Sequence, residues 1–297
     1  MRLLTRESDT ERRPRVESEW NRSLRKIRKN RLALFGFFIV GLLVFMAVFA
    51  PLIAPYSPTK MSLRDRLSPP GVSHLFGTDD AGRDILSRVI YGSRITLRIC
   101  LLVVGLTLGI GTLLGVLSGY IGGWIDEMIM RLTDVFLAFP ALILAMAIAA
   151  ALGPSLENAI IAMVVIWWPR YARVARGQVL AIREIDYVTS ARALGASSFR
   201  IMLYHILPNC TSPIVVQATL DLGEVVLTAA TLSFIGFGAQ PPVPEWGAMI
   251  SVGRNFIRDY WWYPTFPGLA ILLTVMGFNL LGDAVRDVLD PRLRRGP

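Results

Sequence analysis

Lysine is nearly absent from this chain: of 297 residues only Lys26, Lys29 and Lys60 are lysines, and none follows a glycine. The chain therefore lacks a G-x-x-x-x-G-K-[ST] loop, in which glycine amides cradle a phosphate and the lysine reaches its outer oxygens, and it is not expected to hydrolyse ATP by that device. Histidine is scarcer still, with only His74 and His205, and there is no nucleophile elbow and no cluster at metal-ligand spacing. The two cysteines, Cys100 and Cys210, lie in or beside different apolar segments and imply no disulfide framework. Charged residues make up only 18% of the chain, and neither end is expected to bury the core of a further, signalling domain.

What fills the sequence instead is apolar: 53% of residues are hydrophobic and the mean hydropathy is +0.50, which places the chain among membrane proteins. Six apolar segments are long enough, or nearly so, for the ~20 residues a spanning helix needs. They run from Leu32 to Tyr56, Leu97 to Ile121, Val135 to Leu152, Ala159 to Ala175, Val215 to Phe237 and Thr265 to Leu281. The expected fold class is an all-α integral membrane protein with six transmembrane helices. The fourth segment loses its apolar character after Trp168, and Arg170, Arg173 and Arg176 at three-residue spacing predict a continuous helix with one basic face.

The net charge of +9 is nearly all arginine and clusters beside the apolar spans, so it reads as topology rather than as a nucleic-acid surface. Eleven basic residues from Arg2 to Arg31 place the segment before the first span in the cytoplasm. That segment lacks a small-residue cleavage site, so the first span is expected to stay as an anchor. An even number of spans returns Arg286, Arg292, Arg294 and Arg295 to the cytoplasm, and the loop with Arg183, Arg192 and Arg200 falls on the same side. The expected organisation is a basic segment at 1–31, a first helix at 32–56 and an extracytoplasmic loop with an interfacial helix at 57–93. A core with five further spans follows at 94–291, containing a cytoplasmic loop at 183–208, and a tail at 292–297.

Several motifs admit a plain reading. Gly111, Gly115 and Gly119 recur every fourth residue, a small-residue stripe for close helix approach rather than a dinucleotide fingerprint. "GTDDAGRD" (Gly77 to Asp84) does not fit calcium-loop spacing and reads as a capped helix start with Ile85, Leu86, Val89 and Ile90 on one face. "DYWWYP" (Asp259 to Pro264) reads as an interfacial aromatic belt. Asp221 and Glu224 lie on one face within the fifth span, where charge is costly unless it meets a polar path or a partner. They are candidates for lining a translocation pathway, the alternative being structural pairing with an arginine such as Arg98 or Arg173.

"DYVTSARALGASSFRIMLYHILPN" (Asp186 to Asn209) reads as two short helices, one to Leu194 and one from about Ser197 to Ile206, turned at Gly195 and closed by Pro208. Arg192 and Arg200 are expected to face water, while Ala191, Ala193, Leu194, Phe199, Ile201, Met202 and Leu203 supply apolar knobs. Either a helix offered to another protein's groove or an amphipathic linker on the bilayer fits that pattern.

The same stretch resembles the cytoplasmic motif of permease subunits in ATP-binding-cassette importers: Glu-Ala-Ala, three residues, Gly, nine residues, Ile, one residue, Leu-Pro. Ala191, Gly195, Leu207 and Pro208 match, whereas Thr189, Ser190 and His205 depart, and the missing acid at Thr189 removes an ion pair the motif would offer. "HLFGTDDAGRDILSRVIYGSR" (His74 to Arg94), "AALGPS" (Ala150 to Ser155), "LSFIGFGAQPPVPEWGAMI" (Leu232 to Ile250) and "FPGLAILLTVMGFNLLGDAVRDVLDP" (Phe266 to Pro291) look like the C-type subunit of the dipeptide and oligopeptide permease subfamily.

The resemblance implies a type I importer fold and a non-catalytic permease of the bacterial inner membrane with both termini cytoplasmic. It also implies a B-type companion permease, two ATPases that carry ATP and magnesium, and an extracytoplasmic binding protein that delivers a peptide. ATPase coupling would fall to Thr189, Ser190, Ala191, Arg192, Gly195, Ser198, Arg200, Leu207 and Pro208. "RNFIRDYWWY" (Arg254 to Tyr263) is similar to permeases proposed for D-alanyl-D-alanine, while nickel and glutathione importers of the subfamily look alike enough to remain alternatives. A stand-alone secondary transporter is the alternative outside the family.

Overall fold

Asn30 opens the first helix: its side chain accepts the Leu32 and Ala33 amides at 3.0 and 3.3 Å, satisfying two donors that a helix start leaves orphaned. The computed structural model describes residues 30–289, so the basic segment before Asn30 and Arg292, Arg294 and Arg295 lie outside the described residues. Helix α1 (Arg31–Ile53) leads through a loop and a short 3-10 turn (Leu63–Asp65) into α2 (Ile85–Ile121), followed by α3 (Gly123–Ala138), α4 (Ala141–Leu152) and α5 (Leu156–Ile182). The hairpin helices α6 (Asp186–Ala193) and α7 (Ser198–Ile201) precede α8 (Leu207–Ile235), α9 (Trp246–Gly253) and α10 (Trp262–Leu289). The described residues form no strand, only an isolated bridge between Thr78 and Asp84.

Helix α2 holds the bundle together. At 37 residues it is roughly 55 Å long, and Asp84 caps it by accepting the Ser87 amide at 2.8 Å. The separate interfacial helix expected before the second span is thus the first turns of α2 itself; the cap is where the sequence puts it, but Ser93 to Thr96 do not interrupt the helix. Along its second half, Gly111 lies against Trp168 and Tyr171, Gly115 against Ala172 and Ala175, and Gly119 against Val179. A Cβ at Gly119 would stand 2.8 Å from that of Val179. The stripe therefore lets α2 and α5 lie side by side, running in the same direction, at backbone contact.

Helix α5 continues through Pro169 to Ile182, as the arginine spacing predicts. The third span does not run straight: Phe139 and Pro140 are extended, and α3 and α4 meet at 93°. The residue before a proline is forced out of helical geometry, and here the break persists as a corner. Among the described residues, four stretches are long and apolar enough to cross a membrane, namely α1, Ser198–Ile235, α2 and α10, with a fifth if the bent pair counts as one. The six expected from sequence fall short because α5, though 27 residues long, carries Arg170, Arg173 and Arg176 through its second half.

The aromatic cluster before α10 also differs from expectation. Only Trp261 is exposed; Trp262 and Tyr263 are buried under the loop after α1, with the Tyr263 hydroxyl donating to Asp80 at 2.8 Å. That loop is ordered by Asp79, which accepts the Ala81 and Arg83 amides at 2.9 Å and the Arg83 Nε at 2.6 Å. This polar plug supplies the hydrogen-bond partners that Trp262 and Tyr263 need once buried.

The polar ends of the helices gather on one side. Arg183 donates to the Gly119 carbonyl at 2.9 Å, the Arg192 guanidinium sits over the Tyr120 ring, and Ser212 reaches Leu289 O at 3.3 Å. Gly36 near the start of α1 lies against Leu280 and Leu281 of α10. The start of α1, the ends of α2, α5 and α10 and the α6–α7 hairpin therefore share one end of the bundle.

Candidate functional site

Two features stand out: the hairpin and a ladder of ion pairs along α5. In the hairpin, α6 ends in a Schellman turn. The Gly195 amide donates to Arg192 O at 3.0 Å and the Ala196 amide to Ala191 O at 3.1 Å, with Gly195 at φ +83°. Glycine takes that left-handed conformation without the cost a Cβ imposes. Ser197 then caps α7 by accepting the Arg200 amide at 3.4 Å.

The second helix of the hairpin is shorter than the sequence suggests, because after Ile201 the chain widens into a π turn, Met202–Ile206. The turn falls where Pro208 withholds the amide that the Tyr204 carbonyl would take in an α-helix. The Asn209 side chain donates to the neighbouring His205 O at 2.7 Å.

Burial divides the hairpin into an anchor and a tip. Val188, Ile201 and Ile206 are fully buried against the bundle, which removes Ile201 from the expected knobs. Leu194 and Phe199, flanking the Gly195 turn, are 88% and 70% exposed. Thr189, Ser190, Arg192, Ser198, Arg200 and Pro208 are exposed and Ala191 and Leu207 half-buried; Thr189 to Arg200 flank the Gly195 turn, whereas Leu207 and Pro208 open α8. An apolar pair between two arginines, held by a buried root, has the form of a knob for another protein's groove.

The ladder sits on the side of α5 that faces α3 and α8. Arg170 donates to Glu224 through both guanidinium nitrogens, Nη1 to Oε2 at 2.6 Å and Nη2 to Oε1 at 3.0 Å, and lies 3.9 Å from Asp221. One turn on, Arg173 pairs with Asp134. Arg176 forms a second fork on Asp126, at 2.6 and 2.7 Å. Asp221 and Glu224 thus do meet an arginine, but it is Arg170; Arg98 lies 3.7 Å from Glu157 instead. The arginine spacing was visible in sequence, whereas its acidic partners were not, because Asp126 and Asp134 lie before the expected third span, in a stretch not expected to be helical.

A multi-helix membrane chain with a rooted hairpin at one polar end has the architecture of a transporter's membrane-spanning component. Residues 111–295 match the family described as binding-protein-dependent transport system inner membrane component, and residues 18–70 match the N-terminal TM domain of oligopeptide transport permease C. The chain belongs to this permease family, whose members are non-catalytic membrane components of type I ABC importers.

It is 50% identical over 274 residues to the dipeptide transport system permease protein DppC of Escherichia coli K12, covering 90% of this chain and 91% of that one. It is 47% identical over 254 residues to the probable D,D-dipeptide transport system permease protein DdpC of the same organism, covering 86% and 85%. The dipeptide permease DppC of Alkalihalophilus pseudofirmus is 45% identical over 277 residues, covering 93% and 91%.

Proposed function

We infer that this chain is the C-type permease of an ATP-driven peptide importer in a bacterial inner membrane, and that its hairpin is the element through which an ATPase subunit drives it. The observation that carries this reading is the contrast within the hairpin: buried Val188, Ile201 and Ile206 root it in the bundle, while Leu194 and Phe199 stand free. In this reading a push on the tip is passed through that root to the bundle. The basic segment before α1 puts this end of the bundle in the cytoplasm, with both termini there. Peptide as cargo follows from the relatives, named for dipeptides and D,D-dipeptides.

In this reading a B-type permease completes the pathway, each permease seats one ATPase, and an extracytoplasmic binding protein delivers the peptide. ATP and magnesium belong to the ATPases. ATP-driven closure of the ATPase pair moves the two hairpins, and the helices exchange inward for outward access. Each nucleotide state must favour its own conformation by several kcal/mol for the exchange to be complete.

The test is ATP hydrolysis by whatever co-purifies with the tagged chain in mild detergent, with and without peptide-loaded binding protein. Stimulated hydrolysis is expected, and Gly195→Asp should abolish the stimulation. Peptide movement by the chain alone in vesicles, with no ATPase attached, would instead establish a secondary transporter.

A further inference from the structure

The Arg170–Glu224 fork is in an unusual place. Arg170 lies near the middle of α5 and Glu224 near the middle of α8, well away from the polar ends of the bundle. Both remain partly open on this chain's surface, the side chains being 31% and 46% exposed. A charge at that depth cannot be left against hydrocarbon, so this face is covered by protein or by water. The phenylalanines of α1 and the outer leucines of α2 are exposed as well, but that surface carries no such charge pair.

Behind the fork sits a third charge with unused capacity. Asp221 is only 2% exposed; its Oδ1 accepts from Gln217 at 2.8 Å and stands 3.9 Å from Arg170, while Oδ2 has no hydrogen-bond partner among the described residues. The buried Tyr171 hydroxyl adjoins it. Arg170 makes its two short bonds to the partly exposed Glu224, and the buried Asp221 stands behind it at 3.9 Å.

We propose that Arg170 and Glu224 form a charge-exchange site on the translocation pathway for zwitterionic peptides. The peptide's α-carboxylate takes the Arg170 fork and its α-ammonium takes the Glu224 carboxylate, while Asp221 holds the rear of the Arg170 guanidinium when the internal pair is open. The exchange replaces one ion pair by two, so no charge is stranded in the membrane interior, and closing of the Arg170–Glu224 pair expels the cargo once it has passed. Weak net binding is what a pathway requires, since cargo must leave as readily as it enters. The site rests on the peptide-importer reading of this chain.

The test uses the complete transporter with its companion subunits in proteoliposomes, supplied with dipeptide-loaded binding protein. Arg170→Gln/Glu224→Gln removes both charges and leaves two amides that can still bond each other. Dipeptide uptake should fall about tenfold or more, the loss of a charge-assisted bond to each terminus. Hydrolysis of ATP stimulated by the loaded binding protein should persist. Uptake close to the parent's, or uptake and stimulated hydrolysis falling together, overturns the proposal and leaves a structural pair. Independently, Leu227→Cys, one turn from Glu224 on the same exposed face, should react with a membrane-impermeant thiol reagent in at least one nucleotide state; the native Cys100 and Cys210 are buried. A thiol inert in every state overturns it, because the face is then packed against protein. Parent transporter that moves no dipeptide overturns the importer reading itself.

Discussion

Arg176 on α5 grips Asp126 on α3 with both arms of its guanidinium, at 2.6 and 2.7 Å, and the Ser118 hydroxyl of α2 donates to the same carboxylate. Three helices meet at one carboxyl group. Since α3 packs on α5 and presents much of its apolar surface outward, this fork is a main fixture of the bent segment. Asp126→Asn should lower the stability of the purified chain by about 1–3 kcal/mol, because it leaves Arg176 half-buried without its counter-charge. Arg176→Gln combined with Asp126→Asn should recover part of the loss. Unfolding midpoints of the two single variants and the double variant in detergent decide it; strictly additive losses would show that the two side chains do not interact.

At Gly195 the backbone and the available space point to different outcomes, which makes the position informative. A Cβ there would meet nothing within 4 Å, yet φ is +83°. Gly195→Ala should therefore act through backbone strain alone, costing about 1–2 kcal/mol locally, and Gly195→Asn less, because asparagine tolerates the left-handed region. Peptide uptake at matched expression should rank parent, Asn, Ala. Equal uptake by all three would mean that the Schellman turn has no part in coupling.

The hairpin and the bundle differ in how much the sequence reveals. The Gly195 turn, the helix start near Ser197 and the exposed arginines are local effects of residue type, and they appear where the sequence places them. The π turn follows from Pro208 and was legible in principle. The corner between α3 and α4 was not read, because a run such as "FLAFPALILAMAIAAAL" shows its hydropathy more strongly than its single proline. The Arg170–Glu224 fork joins residues 54 positions apart, and no periodicity reveals which arginine a distant acid will meet.

Leu194 and Phe199 support nothing within the chain, so replacing both by serine should leave its own stability within about 0.5 kcal/mol. If they fill a groove on an ATPase subunit, the same change removes the apolar centre of that contact and should weaken it by about tenfold or more. The measurement is the ratio of ATPase subunit to permease after purification at several salt concentrations. Retention at the parental ratio would assign the contact to the flanking arginines instead, and would then fall steeply with salt.

The glycines in the second half of α2 divide into two groups by what surrounds them. Gly111, Gly115 and Gly119 leave no room for a Cβ against α5, while Gly105 and Gly109 have nothing within 4 Å. Helix propensity treats all five alike, so any difference between them measures contact. Gly115→Leu must push α5 away from α2 along the helix pair that dominates the fold, at a cost of at least 1–3 kcal/mol by overpacking, and roughly more where backbone cannot shift. Gly109→Leu should be neutral or mildly stabilising, because leucine is the better helix former. Monodispersity of the two variants in detergent separates the cases. Equal behaviour would mean that α2 and α5 are held apart in the membrane, and with that the Arg170 ladder would lose the fixed support that its geometry requires.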